Sequence, residues 1–178
     1  DSSTSRGLGD VYKRQIQTPY VICNGYMYDV LQGISDHAKL QIVLNAVEKG
    51  SNPWGCTDYL NQKKKILETG ADVYELMNDY PVHTKAVLIN DRLSVVGSYN
   101  LDMRSTYLDT ELMLVIDSEK LNQQIHETES DYMEKSKEVL ANGQETEGAK
   151  YQGKVLNRKK KLYYGVLRMI IRPLRQLL

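Results

Sequence analysis

Short apolar runs alternate along the chain with stretches whose apolar residues recur at helical spacing. PYVICN (19–24) is a compact apolar run closed by Asn-Gly and predicts a buried strand. YMYDVLQGI carries helical spacing, and KLQIVLNAV (39–47) predicts a second strand. Gly50 to Pro53 form a loop. TDYLNQKKKILETG (57–70) predicts a helix that stops at Gly70, and ADVYELM (71–77) a third strand. VHTKAVLI (82–89) and LSVVGSYN (93–100) predict a hairpin with Asn90, Asp91 and Arg92 as its turn. DTELMLVID (109–117) reads as a further strand. Ser118 then caps a long polar helix reaching about Leu140, with Glu119 in its first turn. Strands alternating with helices, then a hairpin, predict an α/β fold with a mostly parallel or mixed central sheet flanked by helices, spanning residues 16–142.

The ends read differently. Residues 1–15, DSSTSRGLGDVYKRQ, are polar and aperiodic, begin without Met and precede an abrupt apolar run. They read as artefactual or disordered, and the chain is expected to lack an N-terminal portion. Residues 143–153 read as a linker and 154–178 as a basic amphipathic helix. On a helical wheel Lys161, Arg168, Arg172 and Arg175 share one face, and Leu162, Val166, Met169, Ile170, Leu174 and Leu177 the other. Pro173 is expected to kink or split it.

Composition refines this picture. Lys plus Arg and Asp plus Glu each total 23, so net charge argues for no polyanionic partner. Nine of the basic residues lie after Ala149, where no acidic one occurs; the remainder holds 14 basic against 23 acidic residues, a net charge of −9. Such asymmetry marks a tail that meets phosphates, and the pattern fits an amphipathic helix on an anionic membrane surface, the competing reading being a helix packed on the protein itself. A peripheral place on the cytoplasmic face of the cell membrane is expected. Two cysteines, Cys23 and Cys56, make neither a disulfide framework nor a metal-site spacing. No apolar run reaches the 18 or more residues of a membrane-spanning helix.

The candidate chemistry lies in the hairpin. His83 and Lys85, two apart on an extended segment, share a face, as do Ser98 and Asn100. Gly97 leaves room for a backbone or a ligand to approach. Pairing through the turn can bring an imidazole, an ammonium, a hydroxyl and an amide to one polar spot suited to a phosphoryl group. Alone, His-x-Lys is a weak signal. The longer run HTKAVLIND…GSYN, however, resembles the His-x-Lys-x4-Asp-x6-Gly-Ser-x-Asn signature of the phospholipase D superfamily, and LDMRSTYLDTELMLVIDS is similar to the continuation in bacterial cardiolipin synthase-like members.

The resemblance implies a phospholipase D-like fold. It also implies phosphatidyl transfer through a phosphohistidine on an anionic phospholipid such as phosphatidylglycerol, with no metal and no cofactor. Hydrolysis of phospholipid headgroups, a nuclease-like phosphodiesterase, and an inactive membrane-binding remnant are the alternatives. The acidic body argues against a nucleic acid partner. The signature's Asp slot holds Asn90, with Asp91 beside it as a possible substitute in holding the loop. Glu111 matches a carboxylate that orients a catalytic imidazole in the family. The chemistry needs two motifs, and this chain shows one; His37 and His126 belong to no second copy. The partner is therefore a missing N-terminal half or a second copy of the chain, and His83 is expected to serve as general acid/base. Trp54 and Tyr59, in the loop NPWGCTDY (52–59), are further candidates for touching the lipid.

Overall fold

The computed structural model describes residues 12–153 and 156–178. Residues 1–11, most of the foreign-looking leader, and residues 154–155, where the tail was expected to begin, lie outside the described residues. The elements in chain order are β1 (Lys13–Gln17), α1 (Gly25–Ser35), β2 (Lys39–Asn45), α2 (Pro53–Glu68), β3 (Asp72–Leu76), β4 (Ala86–Ile89) and β5 (Leu93–Gly97). Next come α3 (Met103–Tyr107), β6 (Met113–Asp117), α4 (Glu119–Glu134), β7 (Ser136–Val139), β8 (Glu145–Glu147), α5 (Arg158–Ile171) and a 3₁₀ turn (Arg172–Leu177). The strands form one mixed sheet in the order β6-β5-β4-β1-β2-β3-β7-β8. The β1–β2 and β2–β3 ladders are parallel and the others antiparallel.

The first strand is a correction to the sequence reading. Lys13, Arg14 and Gln15, set aside with residues 1–15, belong to β1, which pairs with β2 on one side and β4 on the other. PYVICN is buried as expected, yet it only bridges: Val21 lies beside Leu101, and Ile22 N–H donates to the Leu101 carbonyl. Pro19 has no N–H for a ladder, and its carbonyl is taken by the Asn45 side chain at 3.1 Å, so the chain turns off the sheet there.

Alternation within the strands gives the sheet two unlike faces. Ile16, Leu40, Ile42, Leu44 and Val73 join Met27 and Leu31 of α1 and Tyr59 and Ile66 of α2 in an apolar core. The opposite face, under α4, is polar: Gln15 donates to Gln41, and Gln41 to the Tyr74 hydroxyl. Glu129 of α4 is fully buried, and neither of its carboxyl oxygens has a partner among the described residues.

Helix α2 starts earlier than the spacing predicts. Asn52 accepts from the backbone N–H groups of Trp54 and Gly55, and Pro53 occupies the first turn, so the expected loop is helical. Tyr59 is thereby turned inward, fully buried, with its hydroxyl donating to Glu75 at 2.8 Å; it does not line a ligand crevice. Trp54 stays 41% exposed. Gly70, at φ 85°, ends the helix as expected. The polar helix after Ser118 stops at Glu134 rather than near Leu140, because β7 and β8 add an antiparallel edge over part of the expected linker.

The basic tail docks on the body. Leu167 and Ile171 of α5 are buried, and Tyr164 packs against the core. Arg168 donates to Asn61 at 2.9 Å, and Arg175 grips the fully buried Asp58 at 2.6 and 3.1 Å. Part of the basic face thus turns inward, while Leu162 (71%) and Met169 (70%) head an exposed apolar ridge. Pro173 ends the α-helix in the 3₁₀ turn. Among the described residues no helix is long and apolar enough to cross a membrane.

Candidate active site

The site forms where the central hairpin leaves the sheet. Residues 82–85 lead into β4 outside any strand, held by Asn45 at the end of β2. The Asn45 amide donates to the Val82 carbonyl at 2.7 Å, and its oxygen accepts from Val82 N–H at 2.9 Å. An amide closing the apolar run KLQIVLN was the signal for this anchor, and the spacing analysis passed over it.

The register across β4 and β5 pairs Ala86 with Val96, and Gly97 N–H donates to the Lys85 carbonyl at 3.2 Å. Continued pairing would set Ser98 opposite Thr84, on the face away from Lys85. The chain instead leaves the ladder after Gly97, and only this departure frees Ser98 and Asn100 from the wrong face. Gly97 is required there, since a Cβ would lie 2.0 Å from the Leu112 carbonyl oxygen. The close approach is therefore made by backbone.

Lys85 is buried, with Nζ 2.6 Å from His83 Nδ1 and 2.9 Å from the His83 carbonyl. An ammonium only donates, so the facing ring nitrogen accepts and the imidazole is held neutral. Partial burial, then the Lys85 charge, push the His83 pKa below its ordinary 6.5. Burial also lowers Lys85, against the opposing pull of Glu111 and Asp102.

A second cluster lies on the other side of Gly97. Ser98 Oγ accepts from Leu112 N–H and donates to Glu111, which also accepts from Ser105 Oγ at 2.7 Å. Asn100 donates to Ser105 Oγ from its N–H and its side-chain amide, both at 3.3 Å, while its Oδ1 is buried without a partner among the described residues. Glu111 was expected to orient an imidazole; within this chain it fastens two serines instead. Their hydroxyls, Ser98 first, lower its pKa. Ser105 was missed by the sequence reading. The Asp102-x-x-Ser105 pattern, in which the Asp102 carboxylate caps α3 by accepting from Ser105 N–H at 2.6 Å, could have revealed it.

Asn90 and Asp91 stand apart from this assembly. Five residues at 3.3 Å each put Asn90 about 17 Å along the strand from Lys85. Asn90 takes φ 51°, accepts from Arg14 at 2.6 Å and donates its N–H to the Lys13 carbonyl. It ties the turn to β1, a neutral amide making the structural bond. Asp91, the expected substitute, is exposed and makes no such bond among the described residues.

A polar cavity of about 240 Å³ opens beside Asn100, with Tyr20, Asn52, Asp102 and Arg104 on its walls. A larger groove of about 690 Å³ runs along α4 past Asp91 and His126, and His83, Lys85, Ser98 and Asn100 do not line it.

Residues 12–131 match the family described as "Cardiolipin synthase, PLD-like domain". Cardiolipin synthase A of Proteus mirabilis (strain HI4320) is 31% identical over 146 residues, which is 79% of this chain and 28% of that protein. Cardiolipin synthase A of Serratia proteamaculans (strain 568) is 31% identical over 67% of this chain and 24% of its own length. The chain thus spans about a quarter of these curated relatives. Among solved structures, phosphatidylserine synthase of Haemophilus influenzae Rd KW20 superposes with a TM-score of 0.62 at 15% identity, over 93% of this chain and 42% of that one. Nuc, a phospholipase D family member of Salmonella typhimurium, gives 0.58 at 16% identity, over 71% and 80%. These two likenesses show the fold. Together with the family match across well over half of the chain, they establish that it belongs to the phospholipase D-like family of cardiolipin synthase domains.

Proposed function

We propose that this chain supplies one half of a phosphatidyl-transfer site that acts on an anionic phospholipid such as phosphatidylglycerol, with the second half provided by another motif-bearing domain or a second copy. Membership of the family carries the reaction type, a phosphodiesterase or transferase. The observation that carries the finer reading is the contact of His83 with the buried Lys85, set beside the Asn100–Ser105–Glu111 cluster. An arriving phosphodiester brings negative charge next to Lys85. That charge offsets the ammonium and restores the affinity of the His83 ring for a proton, the form a departing alkoxide needs. The partner histidine attacks phosphorus, forming a P–N bond as the P–O bond to the leaving alcohol breaks, and His83 delivers the proton to that alcohol. In reverse sense His83 then deprotonates the acceptor, water or a second alcohol, which displaces the phosphohistidine. Lys85 offsets the charge of the non-bridging oxygens, and the Asn100 amide donates a hydrogen bond to them.

We further propose a peripheral place at the membrane. The exposed ridge of Leu162, Val166, Met169 and Ile170 lies on a helix whose first turn is Arg158, Lys159, Lys160 and Lys161, the arrangement of an interfacial helix. The test is phosphatidylglycerol turnover by the complete protein that carries this chain, with and without His83→Ala. Loss of lipid products by 10³-fold or more is expected. Products that persist after the substitution refute the assignment.

A further inference from the structure

The tail reaches the site from behind. None of the residues of the 3₁₀ turn (Arg172–Leu177) is buried, so polar contacts rather than apolar packing fix it. Arg175 supplies a forked pair of bonds, at 2.6 and 3.1 Å, to Asp58, whose side chain is fully buried. Leu178 supplies another contact: its main-chain oxygen accepts from Arg104 N–H at 2.9 Å. A buried ion pair gains little net stability over apolar side chains of similar volume, and its best-attested use is to fix a register. Two paths lead from this pair toward Asn100.

The shorter path runs through α3. Five residues are too few for a helix to hold itself, and its first N–H groups need acceptors from elsewhere. Ser105 N–H finds the Asp102 carboxylate at 2.6 Å, and Arg104 N–H finds the tail. Ser105 Oγ in turn takes one hydrogen of the Asn100 side-chain amide, which leaves the second for a phosphoryl oxygen. The longer path runs through α2. Asp58 also accepts from the Gln62 amide, and Gln62 Oε1 accepts from Cys23 N–H at 2.8 Å and from the Tyr28 hydroxyl. Ile22, one residue before Cys23, donates to the Leu101 carbonyl at 2.9 Å, and Leu101 adjoins Asn100. His83 and Lys85 lie on neither path, their segment being anchored by Asn45 and by β4.

We propose that Arg175 and Asp58 are positioning residues for the transfer reaction. Together they seat the 3₁₀ turn so that it braces α3, and through Ser105 they set the direction of the Asn100 amide. The inference rests on the phosphatidyl-transfer reading for the reaction it serves. A basic residue of the tail thereby acts inward, on the order of the site, rather than outward on phosphates.

The test uses the complete protein and two variants that avoid stranding a buried charge. Arg175→Lys keeps the charge but replaces the fork with a single ammonium. Asp58→Asn combined with Arg175→Met removes both charges at similar side-chain volume. Backbone amide exchange, followed by mass spectrometry, is compared between residues 103–107 and residues 86–89. In the double variant, exchange in 103–107 is expected to rise about ten-fold, the size of one or two lost hydrogen bonds, and in Arg175→Lys by less, while 86–89 stay unchanged. In phosphatidylglycerol turnover the double variant is expected to lose about ten-fold in kcat at nearly constant KM, because Asn100 meets charge that develops in the transition state; Arg175→Lys recovers part of that loss. Unchanged exchange in 103–107, equal acceleration in both segments, or an unchanged kcat overturns the proposal. Exchange needs no substrate and so separates the two readings. If the unaltered protein turns over no phosphatidylglycerol, the transfer reading falls, and selective acceleration in 103–107 still upholds the brace.

Discussion

Glu129 gives a sharp prediction because it is buried with no partner among the described residues. Burial alone pushes its pKa from the ordinary 4.5 up to about 8. The sign follows from proton counts. Between those two values the unfolded chain has released the proton and the folded chain still holds it, so stability falls as pH rises through this window. It is fully retained below 4.5 and the loss levels off above about 8. At about 1.4 kcal/mol per pH unit, the loss by pH 8 is on the order of 4 kcal/mol, a ceiling set by complete burial. Glu129→Gln removes the titration while keeping the shape. Urea unfolding of both proteins is expected to give nearly equal stabilities at pH 4 and a gap that widens with pH, the variant being the more stable by several kcal/mol at pH 8. Taking the difference between the proteins cancels every other titrating group. A gap that does not change with pH, or a variant less stable at pH 8, refutes the reasoning.

Two further predictions concern the motif. Replacing Lys85 by Met removes the second cause of the lowered His83 pKa, so the His83 titration midpoint, followed by NMR of its ring Cε1 proton, is expected to rise; an unmoved midpoint contradicts the contact. Gly97→Ala drives a Cβ against the Leu112 carbonyl and is expected to cost on the order of 2–3 kcal/mol in urea unfolding, with amide exchange accelerated in β6; unchanged stability contradicts the close approach.

The parts of the fold that were legible are those where polarity and period agree. Helix α1, strands β2 and β3, the β4–β5 hairpin and the Ser118 cap all stand out because apolar spacing matches the element. Strand β1 could not be found this way. KRQIQ has one residue, Ile16, in the apolar core, and its glutamines face the polar layer under α4. The start of α2 did carry its signals, Asn52 as cap and Pro53 after it, but the local density of Gly, Asn and Pro outweighed them. Strands β7 and β8, SKEV and ETE, are an edge with almost no apolar pattern. In the site, the resemblance singled out His83, Lys85, Ser98 and Asn100, while spacing alone would have set Ser98 and Asn100 on the face away from Lys85. It could not place Asn90 at the far end of a strand, nor show that Glu111 reaches Ser105, because those depend on where the chain quits the ladder.

The position of β1 has a consequence for how the molecule is made. It pairs with β2 about 25 residues later, yet its other neighbour, β4, follows only after some 75. At about 5–20 residues per second, a ribosome leaves one flank of this central strand open for roughly 4–15 s. A hydrophobic strand in that situation would recruit whatever extended peptide came by. Lys13 and Arg14 make the waiting flank hydrated and charged, the kind of guard that edge strands carry permanently and that this interior strand needs only while it is being born.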